Sequence, residues 1–170
     1  MTTDTPRQPL TGKVALITGG ARRVGAAIAR ELHAAGANVV IHHHRSVDAA
    51  QKLCAELEQS RPNSTLRLSA DLLDIASLGA LVEDTRRHFG QLDILINNAS
   101  TFYPTPVGEI TLEHWDDLIG SNLKAPLFLS QAAVPALRLS NGLILNIVDI
   151  HGMRPLRRYP TYSVAKAGLI

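Results

Sequence analysis

Short apolar runs alternate with helical patterns along nearly the whole chain, and this alternation restricts the fold more than any other feature. Residues 13–17, 38–41, 65–69, 92–96 and 143–148 read as strands, and their apolar content is nearly continuous. Between them lie helical patterns. Val24, Ile28 and Leu32 recur at helical spacing before Gly36; 47–59 is a helix broken by Pro62; 74–89 is a helix ended by Gly90. Thr111 caps a long helix with Glu113 and His114 in its first turn. Strict strand–helix alternation with apolar strands implies a parallel sheet covered by helices on both faces, a single α/β domain of the doubly wound, Rossmann type. Residues 10–170 form that domain. Residues 1–9 are polar, contain proline and are expected to be a disordered leader.

At 170 residues the chain can bury a sizeable core. Its net charge is +2, and the basic residues are scattered rather than clustered in a stripe, which argues against a nucleic-acid partner. One cysteine, Cys54, excludes an internal disulfide framework and fits a reducing compartment, so a cytoplasmic location is expected. No apolar run approaches the ~20 residues that cross a bilayer, and 1–9 has no apolar core of a secretory signal, so no membrane partner is expected.

A glycine-bearing turn, Gly19, Gly20 and Gly25, lies between the first strand and the first helix. There a dinucleotide pyrophosphate meets free backbone N–H groups and the positive end of the helix dipole. After the second strand an NAD site usually presents an acid to the ribose 2′-hydroxyl. This chain has His42-His43-His44-Arg45-Ser46 instead. Arg45, with His44 and Ser46, suits a 2′-phosphate and predicts NADP(H). The histidines do not predict a metal, because neighbouring side chains on a strand point to opposite faces. Asp71, just after the third strand, is placed either to accept from an adenine amino group or to cap a helix.

The run 149–166 carries the chemistry. Asp149 closes the fifth strand, a Pro- and Arg-rich loop follows, and Tyr162 and Lys166 stand four residues apart, on one face of a starting helix. A cation beside a phenol is expected to lower its pKa and make it a usable proton donor. Pro126 has no N–H to give to the carbonyl of Asn122, leaving that carbonyl to hold water or merely marking a helix kink.

Thr18-Gly19 through Gly25, Asn97-Asn98-Ala99, Asn122 and Tyr162-x-x-x-Lys166 together resemble the short-chain dehydrogenases/reductases, over essentially the whole chain from Leu10. Three departures are similar to the pteridine reductases within that family. Arg23 stands for the middle glycine of the turn, Asp149 for the usual serine, and Asn98-Ala99-Ser100 continues into Thr101-Phe102. The resemblance implies Tyr162 as proton donor, Lys166 holding the nicotinamide ribose and lowering the Tyr162 pKa, Asn122 maintaining a relay water, and Asp149 acting with Tyr162. It implies NADP(H) contacts at Gly19, Arg23, Val24, Gly25, His44, Arg45, Ser46, Asp71, Leu72, Asn98, Ala99, Ser100, Tyr162 and Lys166. A pterin or folate is implied against Arg23, Ser100, Phe102, Asp149 and Tyr162, with Phe102 stacking on the flat ring.

The expected reaction is hydride transfer from NADPH to a C=N bond of a dihydropterin, with the proton delivered by Tyr162 coupled to Asp149. A short-chain reductase of ketones or alcohols, and a catalytically silent nucleotide-binding fragment, are the competing readings. Family members continue past the Tyr162 helix with two more strands and a substrate-covering segment. The chain is therefore expected to be a C-terminally truncated form of a protein that is a homotetramer when intact.

Overall fold

The computed structural model describes residues 8–170, so most of the expected leader lies outside the described residues. Five parallel strands form one sheet: β1 (Val14–Ile17), β2 (Asn38–His43), β3 (Thr65–Ser69), β4 (Ile94–Asn97) and β5 (Leu143–Asn146). Their spatial order is β3-β2-β1-β4-β5, and every pair is parallel. The helices are α1 (Arg23–Ala34), α2 (Val47–Ser60), α3 (Leu78–Phe89), α4 (Leu112–Ile119), α5 (Ala125–Ser140) and α6 (Pro160–Leu169). The α/β doubly wound expectation holds, and the direction of winding reverses between β1 and β4.

Side-chain alternation along each strand divides the apolar run between two cores. Val14 and Leu16 of β1, Val40 of β2 and Leu95 of β4 face α3 and α5, meeting Leu81, Leu129 and Leu137. Ile17, Val39, Ile41 and Ile96 face α1 and α2, meeting Ala26, Ala29, Leu53 and Leu57. The apolar spacing of α1 is an incomplete guide to its inner face, although Ile28 and Leu32 do pack against the core. Val24 is exposed, Ile28 and Leu32 are half-buried, and the face against the sheet is Gly25, Ala26, Ala29 and His33. Small residues let this helix lie close to the strands and to the glycine turn above it. Continuous apolarity also misleads at β5, whose four residues are all exposed. Among the described residues, no strand pairs with its outer edge.

The Thr111 cap is present, with its hydroxyl accepting from His114 N at 3.2 Å and the His114 ring accepting from Thr111 N. The long helix that it starts is not uniform. Over Gly120–Lys124 it widens to π geometry, and Ala125 N–H reaches back to Gly120 O. Pro126 explains the widening, since the regular ladder loses a donor there. The helical pattern at 74–89 likewise divides into a 3₁₀ turn, Ile75–Ser77, and α3.

Candidate active site

The turn after β1 is built by hydrogen bonds from three strands. The buried Thr18 hydroxyl donates to Ile96 O (3.2 Å) and accepts from Asn98 N (2.9 Å) and Ala99 N (3.1 Å). Asn98 Nδ2 donates back to Thr18 O (2.8 Å) and Gly19 O (3.2 Å). Gly19 turns at φ +60, within 3 Å of where a side chain would meet Ala99. Its N–H donates to His42 Nδ1 (3.2 Å), so His42 must carry its proton on Nε2, which donates to Ala70 O (3.1 Å). Burial pushes the His42 imidazole down to about 4, against the favourable Ala70 bond. His42 is therefore a neutral strut joining the β1 turn to the end of β3, with both ring nitrogens used.

The turn fits a dinucleotide. A Cβ on Gly25 would overlap the Gly19 carbonyl oxygen and lie 2.6 Å from Asn98 Nδ2, so only glycine leaves the backbone of α1 this close to the turn. Arg23 takes φ +49, in the left-handed region that costs a non-glycine residue ~1–2 kcal/mol. Its side chain and the Val24 side chain are exposed at the head of α1. At the ends of β2 and β3, His44 and Arg45 are exposed, Ser46 is half-buried and Leu72 is buried. Asp71 is exposed; its Oδ1 accepts from Leu73 N at 3.0 Å, a local turn rather than a helix cap.

The second half of the site lies beside it, where Ser100 to Phe102 leave β4. Asn122 is buried in the π turn. Its Nδ2 donates to Leu118 O (3.0 Å) and Thr101 O (3.0 Å), and its Oδ1 accepts from Ser100 Oγ (2.6 Å). In this structure the Asn122 side chain pins the Ser100–Thr101 backbone, so both ends of its amide are occupied. Across from Ser100, the Tyr162 hydroxyl donates to Asp149 Oδ2 at 2.8 Å. Asp149 is positioned by its own turn, with Oδ1 accepting from His151 N at 3.0 Å. Lys166 is buried, its Nζ donating to Ile147 O (3.0 Å) and lying 5.7 Å from the Tyr162 ring centroid.

The expected lowering of the Tyr162 pKa by Lys166 is corrected here. Burial and the Asp149 carboxylate push Tyr162 up to about 12, with the Ser100 hydroxyl opposing them. A phenol that donates to an anion keeps its proton, because ionising it would place two negative charges side by side. Lys166 itself is pushed down by burial, partly restored by Asp149. Asp149 stays low: burial raises it, but the His151 N–H and the Tyr162 hydroxyl bind its charged form and prevail. Asp149 and Tyr162 thus form a pair that holds one proton.

Phe102 lies against this pair, edge-on to Tyr162 with ring centroids 4.8 Å apart. One face of Phe102 is stacked on Tyr159, centroids 4.5 Å apart and planes 10° from parallel, while half of the residue remains exposed. Sequence reasoning missed Tyr159, as it missed the roles of His42 and Thr18. Thr18 sits inside the glycine turn and invited the question; nothing local marks Tyr159 or His42, whose partners come from β4 and β3 regions far along the chain. The structure brings Ser100, Phe102, Asn122, Asp149, Tyr162 and Lys166 together. Gly19, Arg23, Gly25, Asn98 and Ala99 form the adjoining turn; Arg23 makes no hydrogen bond to the Asp149–Tyr162 pair.

The sequence matches known proteins. The family model for short chain dehydrogenases matches residues 13–170. Pteridine reductase 1 of Leishmania tarentolae is 37% identical over 197 aligned positions, covering 94% of this chain and 68% of that protein. A hydroxynaphthalene reductase-like protein of Metarhizium robertsii is 32% identical, covering 98% of this chain and 61% of its own length. A putative ketoacyl reductase of the granaticin polyketide synthase, from Streptomyces violaceoruber, is 34% identical, covering 99% of this chain and 66% of its own. The chain thus spans about two thirds of the length of these relatives. The family match over residues 13–170 shows that the chain belongs to the short chain dehydrogenase family of oxidoreductases, with a likeness to pteridine reductase.

Proposed function

We propose that the whole protein is an NADPH-dependent reductase of a pterin, saturating a C=N bond of a dihydropterin- or dihydrofolate-type ring. The observation that carries this reading is the Asp149–Tyr162 hydrogen bond: a carboxylate stands where carbonyl chemistry asks for a neutral hydroxyl. A carboxylate ~4 Å from a developing alkoxide costs ~4 kcal/mol at an effective dielectric of 20, so it opposes ketone reduction. A pterin carries N–H donors, its 2-amino group and ring N–H groups, and a carboxylate accepts them. The 37% identity to a pteridine reductase points the same way.

Gly19, Gly25 and the Asn98–Ala99 backbone would hold the pyrophosphate and nicotinamide halves of the cofactor, and His44, Arg45 and Ser46 its 2′-phosphate. The lack of an acid after β2 supports NADP(H) over NAD. Bound NADPH supplies the hydride to the ring carbon. Tyr162 supplies the proton to the ring nitrogen, and the C=N bond becomes CH–NH. Asp149 governs when that proton is available. Without substrate it accepts the phenol and holds its proton. A substrate N–H that takes Asp149 as its acceptor frees the hydroxyl to turn towards the ring nitrogen and removes the carboxylate bond that, after burial, raises its pKa. Lys166 offsets the phenolate left behind, and water returns the proton. Phe102 offers its open face to the flat ring. The single cysteine fits a reducing compartment, and homotetramers are the assembly expected of the family.

The test is NADPH oxidation with a dihydropterin and with a ketone panel, for the native protein, Asp149→Ser and Tyr162→Phe. Native protein should reduce the dihydropterin, both variants should lose at least ten-fold in kcat, and NADPH affinity should change little. Ketone turnover with an inert dihydropterin, or full pterin turnover by Asp149→Ser, overturns the reading.

A further inference from the structure

The loop from Asp149 to Tyr162 holds three arginines in five residues, Arg154, Arg157 and Arg158, and all three are exposed. None of their guanidinium groups makes a hydrogen bond or ion pair among the described residues, and no acidic residue occurs between Ile150 and Ile170. The mechanism above uses none of them. The loop is nonetheless built and held. Leu156 N donates to Ser163 Oγ (3.2 Å), Tyr159 N to Leu156 O (3.0 Å) and Ser163 N to Tyr159 O (3.0 Å). Arg158 itself is kept at φ +69, where a non-glycine residue costs ~1–2 kcal/mol, by Thr105 N donating to its carbonyl at 2.7 Å. The next residue, Tyr159, is the one stacked on Phe102, and Phe102 abuts Tyr162. The arginines therefore stand at the rim of the reaction site, one aromatic layer beyond the ring that would receive a substrate.

Resting on the pterin reading, we infer that Arg154, Arg157 and Arg158 form an anion subsite, and that the preferred substrate carries an ionised oxyanion, carboxylate or phosphate, on the substituent that leaves the ring. A substrate ring on the open face of Phe102, with its proton-accepting edge at Tyr162, directs its substituent out of the pocket along the loop. Exposed guanidinium groups that pair with no carboxylate among the described residues raise the local positive potential and can pair bidentately with oxyanions. An uncharged substituent gives them nothing to bind.

The experiment compares kcat/KM, with saturating NADPH, for an uncharged dihydropterin (dihydrobiopterin), a carboxylate-bearing one (dihydrofolate) and a phosphate-bearing one (dihydroneopterin phosphate). The native full-length protein should favour at least one anionic substrate by about ten-fold at low salt. The ratio of anionic to neutral kcat/KM should fall towards one in Arg157→Gln/Arg158→Gly and in Arg154→Gln, and towards one in native protein as salt rises. Glycine suits the φ of Arg158, so the double variant keeps the loop, and the ratio cancels any general loss of activity. Arg138→Gln, on the last turn of α5, should leave the ratio in place. Preference for the phosphate arm alone identifies a phosphate subsite, and for the dihydrofolate arm alone a carboxylate one. Dihydrobiopterin reduced as well as both anionic substrates overturns this inference and leaves the pterin reading standing; no turnover of any pterin overturns both.

Discussion

Lowering the pH should loosen the glycine turn after β1 through one side chain, His42. In the folded chain it is neutral, accepting from Gly19 N and donating to Ala70 O, and burial holds its pKa at about 4 against 6.5 in the unfolded chain. The unfolded state then binds a proton over a range where the folded state does not. Stability contributed by a neutral His42 is complete above pH 6.5 and is lost as pH falls towards 4. At 1.36 kcal/mol per pH unit that interval amounts to about 3 kcal/mol, a large part of the stability of a domain this size. His42→Asn keeps an acceptor for Gly19 N and has nothing to protonate, but loses the donor to Ala70 O, costing about 1–2 kcal/mol. In urea titrations from pH 7 to pH 4 the native protein should be the more stable at pH 7 by that amount and the less stable at pH 4 by about the same. His33, pushed down by burial, and the lowered carboxylates are common to both proteins and cancel. Two curves that stay parallel, or a folded-state His42 ring resonance that titrates near 6.5, would refute the reasoning.

Three further outcomes are expected. Asp149→Asn should move the titration of Tyr162, followed by NMR of ring-labelled tyrosine and assigned with Tyr162→Phe, from about 12 towards 10; an unmoved resonance means that Asp149 does not hold the proton. Gly25→Ala should cost about 1–3 kcal/mol and abolish the rise in Tm on adding NADPH, whereas Gly79→Ala, with open space around its Cβ in α3, should be neutral or gain about 0.5 kcal/mol. Asp93→Ala removes the acceptor for Lys13 Nζ, Val14 N and Gln91 Nε2 and should cost about 3 kcal/mol in chemical denaturation; because it lies at the opposite end of β4 from the site, KM for NADPH should not follow.

Parallel apolar strands and their helices were legible because each leaves a local, periodic trace. The 65–69 strand was placed to the residue, and the others to within two residues at each end, with the errors at ends where tertiary pairing decides. Of the apolar residues at helical spacing in α1, Ile28 and Leu32 pack half-buried against the core and Val24 stays exposed, because apolar periodicity registers large side chains. The sheet instead required the small ones, Gly25, Ala26 and Ala29, to let the helix approach. The residues of the site were legible as types and spacings. Their charge state was not: Lys166 is four residues from Tyr162 in sequence, yet it is Asp149, thirteen residues away, that reaches the hydroxyl.

Sequence alone determined the α/β alternation, the glycine turn, the absence of an acid after β2 and the presence of Asp149, Tyr162 and Lys166 in one segment. These are local properties, set by steric preference, hydrophobic period and residue chemistry. Only the tertiary structure decided the strand order, the neutral His42 strut between three strands, the stacking of Tyr159 on Phe102 and the high pKa of Tyr162. Each of these depends on distances between groups far apart in the chain, and on how much water burial removes from around them. Hydrogen bonding and electrostatic strength follow that separation and that solvation, which residue order does not encode directly.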